Sequence, residues 1–247
     1  MLSIKKLSVS VEDKEIIRDL SFNLAPGTVC ALMGPNGSGK STLANALAGH
    51  PDYKLSGSVV FDRKNLLEMA INERALEGLF LAFQSPVAIP GVNNLVFLQT
   101  LYNNLRKHRN QEPLDATDFI QYVNQCAKQV GLDASFWSRG VNDDFSGGEK
   151  KRNDLLQMLL MDPKLMVLDE IDSGLDVDAL KKVATIVNQM RKEGKSFILI
   201  THYQRLLDYI RPDEIHVMSK GRIVSSGDYS LVSKIEKEGY GWLETVS

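Results

Sequence analysis

A glycine-rich loop carries the most specific chemical signal in this sequence. It follows a short apolar run that ends at Met33, and it leads into a stretch from Lys40 to Ala48 that is typical of a helix. The loop matches the pattern G-x-x-x-x-G-K-[ST], and its residues are Gly34, Pro35, Asn36, Gly37, Ser38, Gly39, Lys40, Ser41 and Thr42. In such a loop the backbone N–H groups point into one concavity, and the positive end of the next helix dipole faces the same place.

An ordinary glycine-rich turn is the alternative, but the position between a strand and a helix favours a phosphate-binding site. We expect Lys40 to reach the outer phosphates and the Ser41 hydroxyl to coordinate Mg²⁺.

Two adjacent carboxylates form the second signal. Asp169 and Glu170 follow the apolar run Leu165 to Leu168, which is typical of a buried strand. In phosphoryl transfer, an acid at a strand end can hold the Mg²⁺ shell and the next acid can polarise a water molecule. Many strands simply end in solvated acids, but the phosphate loop favours the catalytic interpretation.

A third segment, FSGGEKKR, precedes a predicted helix. Ser146, Gly147 and Gly148 offer a hydroxyl and N–H donors that could face an anion. Residue chemistry alone favours a simple capping box, in which Ser146 caps the helix and Glu149 completes the box.

The elements that position these residues alternate between strands and helices, which predicts an α/β fold with a mainly parallel sheet covered by helices on both faces. The N-terminal residues alternate like two antiparallel strands joined at a polar turn. Between residues 91 and 162 the apolar residues recur at helical spacing. We therefore expect one domain, 1–247, with a core formed by 1–90 and 163–247 and a helical subdomain inserted at 91–162.

Composition excludes several classes of protein. The 247 residues include 29 Lys and Arg against 31 Asp and Glu, so the chain is not a strongly basic nucleic-acid binder, and its 43% hydrophobic content excludes disorder. No apolar run approaches the ~18 residues of a membrane span. The N-terminus lacks a secretion or transit signal, and we expect a cytoplasmic protein. Cys30 and Cys126 form no metal-binding or disulfide pattern, and both are predicted core residues.

The order of the motifs resembles the nucleotide-binding subunit of the ABC ATPase superfamily, a P-loop NTPase cassette with an N-terminal antiparallel β part and a helical subdomain. The resemblance covers nearly the whole chain. Several segments are similar to the ATPases of the SUF system of iron–sulfur cluster assembly: PVAIPGV, FSGGEKKRNDLLQM, SGLD, THYQRLLDYI and YGWL.

The resemblance implies ATP and Mg²⁺ as ligands and a role for each matching residue. Gln84 would contact Mg²⁺ and the attacking water, and Asp169 would bind Mg²⁺ through its shell. Glu170 would act as the general base, and His202 would contact the γ-phosphate. Taken alone, Gln84 is more typical of a solvated loop residue and His202 of a satisfied core histidine.

Other matching residues would act between two subunits. Ser146, Gly147 and Gly148 would bind the γ-phosphate of ATP held by the second copy of an ATP-dependent homodimer, and Asp176 would couple the two sites. The pattern departs from the usual LSGGQ at Phe145 and Glu149.

An aromatic residue usually lies under the adenine in this family, and the spacing places Val11 there. We therefore expect modest nucleotide affinity and loose base selectivity.

The resemblance also implies partners: scaffold proteins of the SufB and SufD type, with neither nucleic acid nor direct membrane insertion. Two cysteines cannot supply a Cys₄ cluster set, so the cluster would be built on those partners. Docking is expected at Pro86 to Asn94 and the first insert helix, including Val92 and Phe97. The alternatives are the ATP subunit of a membrane transporter and a soluble translation or DNA-repair protein of the same superfamily.

Overall fold

Two main sheets lie next to each other in the computed structural model, which describes residues 1–242. The strands are β1 Leu2–Val11, β2 Lys14–Leu24, β3 Val29–Met33, β4 Tyr53–Phe61, β5 Lys64–Asn65, β6 Leu79–Ala82, β7 Ile89–Asn93, β8 Gly140–Val141, β9 Leu165–Asp169, β10 Ser196–Ile200, β11 Glu214–Ser219 and β12 Arg222–Gly227. The helices are α1 Lys40–Ala48, α2 Ile71–Leu76, α3 Asn94–His108, α4 Ala116–Val130, α5 Gly147–Met161, α6 Val177–Lys192, α7 Gln204–Ile210 and α8 Ser230–Glu238. Leu243, the last residue of YGWL, lies outside the described residues.

The larger sheet has the order β12-β11-β3-β10-β9-β6. Its five strands from β11 to β6 run parallel, and only β12 is antiparallel. The smaller sheet, β2-β1-β4-β5, is antiparallel throughout. The expected α/β class, with an N-terminal antiparallel part, is confirmed.

The parallel sheet decides where the polar segments meet. The phosphate loop follows β3, His202 follows β10, Glu170 follows β9 and Gln84 follows β6. These four strands are neighbours, so their carboxyl ends lie along one edge of the sheet. Ligands of open α/β sheets bind at this edge.

Alternate residues of the parallel strands divide the core into two parts. Val29 and Ala31 of β3 face a cluster shared with the helices α3 to α8. Cys30 and Leu32 face the opposite cluster, which α1 and the antiparallel sheet complete. A strand buried on both faces reads as a continuous apolar run, and this accounts for the sequence of β3.

The helical part of the chain packs on α5. Helices α3 and α4 both contact α5, and β7 pairs with β8 through Ile89 and Val141. The predicted apolar stripe of α4 is buried, including Cys126, and Cys30 is buried as well. We keep 91–162 as the proposed limits of this subdomain, although β7 begins two residues earlier. In the range 1–242 no helix combines the length and apolar character needed to cross a membrane.

The turn between β11 and β12 joins the two sheets to the phosphate loop. Its central residues, Lys220 and Gly221, both have positive φ, as a two-residue type I′ hairpin requires. Gly221 donates its N–H to the Ser38 carbonyl over 3.0 Å and accepts from the Arg18 N–H over 2.9 Å. A Cβ atom on Gly221 would lie 2.0 Å from the Ile16 carbonyl oxygen.

Candidate active site

The phosphate loop has the backbone conformation that its glycines permit. Gly34, Gly37 and Gly39 have φ angles of 146°, 76° and 105°, which residues with a Cβ rarely adopt. At Gly34 there is also no space, because a Cβ would lie 2.2 Å from the carbonyl oxygen of Met218. The loop then runs directly into α1, so the N–H groups at the start of this helix face the loop.

Lys40, the first residue of α1, folds back over the loop. Its Nζ donates to the carbonyl oxygens of Gly34 at 2.8 Å and Pro35 at 3.0 Å. Burial lowers the pKa of Lys40, while the carboxylates of Glu170 and Asp169 raise it. The ammonium group is therefore held at the loop, close enough to Asp169 and Glu170 for their charges to act on it.

Asp169 provides a test of whether the site suits a divalent cation. This residue is 3% exposed, and the Ser41 hydroxyl is hydrogen-bonded to it. Burial raises the pKa of Asp169, and the bond from Ser41 lowers it. Its Oδ1 atom has no hydrogen-bond partner among the described residues. A buried carboxylate oxygen with a spare lone pair beside a hydroxyl fits a hard, oxygen-seeking ion such as Mg²⁺.

Glu170 joins the other two polar strand ends. Its Oε2 accepts a hydrogen bond from Gln84 Nε2 at 2.6 Å, and its Oε1 lies 3.4 Å from His202 Nε2. Burial and the nearby Lys40 lower the pKa of His202, and Glu170 opposes them. Both carboxylate oxygens of Glu170 thus face groups that were predicted from sequence to act with it.

The backbone of Glu170 is in the left-handed region, with φ of 49°. For a non-glycine residue this conformation costs on the order of 1–3 kcal/mol and needs support from its surroundings. Its N–H donates to the Ile200 carbonyl at 2.9 Å, and its carbonyl accepts from Lys151 Nζ at 2.8 Å. Lys151 belongs to the segment FSGGEKKR, and sequence reasoning assigned it no role.

A cleft of about 650 Å³ lies over these groups. Most of the predicted residues line it: Asn36, Gly37, Gly39, Lys40, Ser41, Thr42, Gln84, Glu170 and His202. Lys14 and Ile16 of β2 also line it, whereas Val11, the expected adenine contact, is not among the lining residues. Val11 lies at the end of β1 opposite Lys14. The contact of Val11 with the adenine base stays a prediction.

Ser146, Gly147 and Gly148 do not line this cleft. They begin α5, and Ser146 and Gly147 are exposed. The capping box is present: Ser146 Oγ accepts from the Glu149 N–H at 3.4 Å, and Glu149 Oε2 accepts from the Ser146 N–H at 2.7 Å. The N–H groups of Gly147 and Gly148, in the first turn of α5, have no partner within the helix and can bind a group that approaches this end from outside.

Phe145, a departure from the usual motif, is held by an arginine. The guanidinium of Arg139 lies 4.3 Å from the centre of the Phe145 ring and 5.3 Å from that of Phe136. Such cation–π contacts position the residue immediately before Ser146.

Asp176 is an exposed N-cap of α6, where its Oδ1 accepts from the Ala179 N–H at 2.7 Å. It lines a neighbouring cavity of about 1040 Å³ that also reaches His202. The structure therefore separates the predicted residues into one group at the cleft and another, Asp176 and the start of α5, outside it.

A residue near the chain's end also reaches the loop. The Tyr240 hydroxyl accepts the N–H of Gly34 at 3.1 Å. The segment YGWL, which contains Tyr240, is similar to other sequences, but no local sequence pattern connects it with Gly34. Contacts across about 200 positions leave no local pattern.

The family follows from residues 17–173, which match a protein-family model described as ABC transporter. This chain belongs to the ABC transporter family. It is an ABC-type ATPase, which binds and hydrolyses ATP. The phosphate loop, Asp169 and Glu170 all lie within the matched region.

Relatives of this ABC ATPase match it over nearly their whole length. It is 56% identical over 244 residues to "Probable ATP-dependent transporter SufC" of Escherichia coli strain K12, covering 98% of each chain. It is 47% identical over 245 residues to "Probable ATP-dependent transporter slr0075" of Synechocystis, covering 99% of this chain and 96% of the relative.

Solved structures of ABC cassettes share its fold. A dimeric ATP-binding cassette described as a post-hydrolysis state bound to ADP and phosphate has a TM-score of 0.78 at 19% identity, covering 92% of this chain and 98% of that one. The ATP-binding subunit of an ABC transporter has a TM-score of 0.78 at 20% identity, covering 100% and 97%.

Proposed function

We propose that this ABC ATPase supplies the energy for iron–sulfur cluster assembly on a scaffold of SufB-type and SufD-type proteins, through ATP-dependent dimerisation in the cytoplasm. The observation that carries the proposal is the 56% identity, over essentially the whole chain, to a protein named SufC. Cys30 and Cys126 are both buried, and burial raises the pKa of both thiols. A thiolate ligand at either position would be disfavoured, which supports the proposal that the cluster is built on the partners.

The residues of one chain would divide the work of hydrolysis. The phosphate loop and Lys40 hold the phosphates, and Ser41 and Asp169 would hold Mg²⁺. When bound, Mg²⁺ would offset negative charge on the phosphate oxygens. Glu170 would accept a proton from the attacking water, and Gln84 would orient that water.

Glu170 must change partners to act as a base. Its two carboxylate oxygens face Gln84 at 2.6 Å and His202 at 3.4 Å. We infer that His202 turns to the γ-phosphate and that Gln84 turns to the water, leaving a Glu170 oxygen free to accept the proton.

The outward start of α5 would complete the site of a second copy. Ser146, Gly147 and Gly148 lie outside the cleft of their own chain, and the Ser146 hydroxyl and the N–H groups of the two glycines suit a phosphate. Asp176, at the exposed start of α6, would lie near the same junction. ABC cassettes dimerise around ATP, so the site of each chain would be finished by its partner.

The scaffold would dock on exposed apolar residues that follow Gln84. We define the docking segment as Pro86 to Asn94. Its Val87 is 68% exposed, and Val96 at the start of α3 is 59% exposed. Ile89 and Val92 add further apolar surface. Apolar side chains grouped in this way are typical of a protein-binding surface.

Co-expression with candidate partners tests the proposal. We expect two scaffold proteins to co-purify, and Val92→Glu together with Val96→Glu to remove them while ATP binding remains. Phe97 is a poorer target because it packs against the core. Ile71→Glu, at another exposed apolar residue, is the matched control and should leave the complex intact.

A transporter subunit is the second candidate, favoured by the word "transporter" in the relatives' names. In that case the same docking segment would bind a membrane permease. Recovery of a permease in place of the two scaffold proteins would refute cluster assembly as the function.

A further inference from the structure

Helix α5 bonds to the docking segment and to Phe83, three residues before it, through two adjacent residues, Asn153 and Asp154. Both are buried: Asn153 is 0% exposed and Asp154 is 6% exposed. The hydrolytic site does not use them. The identity of the docked partner rests on the proposed function.

Asn153 connects to the far end of the docking segment. Its side-chain amide and that of Asn94 exchange two hydrogen bonds, each 3.3 Å long. Its Nδ2 also donates to Asn142 Oδ1 at 3.0 Å, and Asn142 Nδ2 donates to the Val87 carbonyl at 3.0 Å. The three asparagines thus form a buried chain of bonds from α5 to the last residue of the segment and to its exposed Val87.

Asp154 bonds to the backbone just before the docking segment. Its carboxylate accepts the backbone N–H of Phe83, and Phe83 immediately precedes Gln84. The other carboxylate oxygen, Oδ2, has no hydrogen-bond partner within residues 1–242. A hydrogen bond between a buried carboxyl group and a backbone N–H fixes the position of the backbone at Phe83.

The same helix carries the residues that would contact the second copy's ATP. Ser146 precedes Asn153 by seven residues, or about 10 Å along a helix. Helix α5 has 15 residues and packs against α3 and α4, and its backbone hydrogen bonds link Asn153 to the start of the helix. A shift of the docking segment would therefore be passed to Ser146, Gly147 and Gly148 without passing through the parallel sheet.

We propose that Asn153 and Asp154 are positioning residues that couple the docked partner to the start of α5, so that docking sets the placement of Ser146, Gly147 and Gly148 in the dimer. If Asn153 and Asp154 had a purely structural role, loss of their bonds would loosen the whole helix. Turnover with the scaffold and turnover without it would then fall by the same factor.

Hydrogen exchange on the full chain alone tests the connection without any partner. We expect Asn153→Leu, which keeps the number of side-chain heavy atoms and removes the bonds, to speed exchange at least tenfold both at residues 83–94 and at residues 146–150. Leu160→Ala is the matched control, because it disturbs the same buried helix and has no polar link to the docking segment. Faster exchange at 83–94 with an unchanged start of α5 would overturn the proposal.

Turnover with and without the SufB–SufD type scaffold then measures coupling. In Asn153→Leu and in Asp154→Leu, scaffold affinity should stay within about threefold of the wild type, while the ratio of bound to free turnover falls to near one. Leu160→Ala should keep that ratio. An unchanged ratio in both polar variants would refute the coupling. Failure of the wild-type chain to bind the scaffold would refute the proposed partner instead, and the exchange measurement would still decide the connection.

Discussion

The side-chain amide of Gln84 donates to Glu170 at 2.6 Å, and these two residues come from strands that are neighbours in the sheet but 86 positions apart in sequence. His202 faces the other oxygen of the same carboxylate at 3.4 Å. The proposed base therefore stands between the two groups that must later contact water and phosphate. Its reactivity depends on releasing them.

Glu170→Gln should lower turnover by about 10²–10⁴-fold, which is the usual contribution of a general base. The amide retains the size and the hydrogen-bonding capacity of the side chain, so ATP binding should persist and ATP-bound dimers should accumulate. Phosphate release and gel filtration with ATP measure the two effects. Asp178→Asn, at an exposed acid of α6, is the control, and wild-type turnover in Glu170→Gln would remove this residue from its proposed role.

Lys40→Arg should nearly abolish ATP binding and hydrolysis. The ammonium lies within 3.0 Å of two loop carbonyls, and the wider, planar guanidinium does not fit a point-charge position. Calorimetric titration with ATP provides the measurement. Lys54→Arg, at an exposed lysine paired with Asp13, should bind ATP normally. Equal affinity in the two variants would contradict the assignment of Lys40.

Tyr240→Phe should raise the KM for ATP about three- to tenfold with a smaller change in kcat. Its hydroxyl accepts the Gly34 N–H at 3.1 Å, and a neutral hydrogen bond contributes about 0.5–1.5 kcal/mol. Without it, the first residue of the phosphate loop has one fewer constraint. Steady-state kinetics measure the split, with Tyr209→Phe, at a half-exposed tyrosine, as control. A loss of kcat at constant KM would show that Tyr240 acts elsewhere.

Stability should fall with rising pH because of Asp154. Burial raises the pKa of this carboxyl from its ordinary value of 3.8 to about 7, and the Phe83 N–H and Lys151 lower it only in part. Between these two values the folded chain holds a proton that the unfolded chain has lost. The free energy of unfolding therefore decreases through this window, by at most about 1.4 kcal/mol per pH unit from this group.

Asp154→Asn cannot titrate, so its stability relative to the wild type should improve from pH 5 to pH 7 and level off above about pH 8. Urea unfolding at four pH values provides the measurement. Asp118→Asn, at an exposed acid of α4, should follow the wild type throughout. Parallel curves for Asp154→Asn and the wild type would exclude a raised pKa at Asp154.

Much of the fold could be predicted because the polar segments follow apolar runs directly. The bounds of α1 and β10 and the hairpin of β11 and β12 were evident from local patterns. Short helices were not: α2 has six residues and α7 has seven, too few for a periodic stripe to stand out.

Local sequence patterns also could not predict the contacts that support the site. Lys151 bonds to the carbonyl of Glu170, and Tyr240 bonds to the N–H of Gly34. Each contact involves a backbone atom of Glu170 or Gly34. Every residue has these atoms, so the residue types at the two positions do not indicate that they are paired.

The turn at Gly221 has an evolutionary consequence. Any side chain there would collide with the Ile16 carbonyl, and the turn's own N–H is bonded to Ser38 of the phosphate loop. We therefore expect this hairpin, which does not line the cleft, to be under the same selection as the loop itself. Surface-loop diversity, which families usually accumulate at hairpin ends, should be absent at this one.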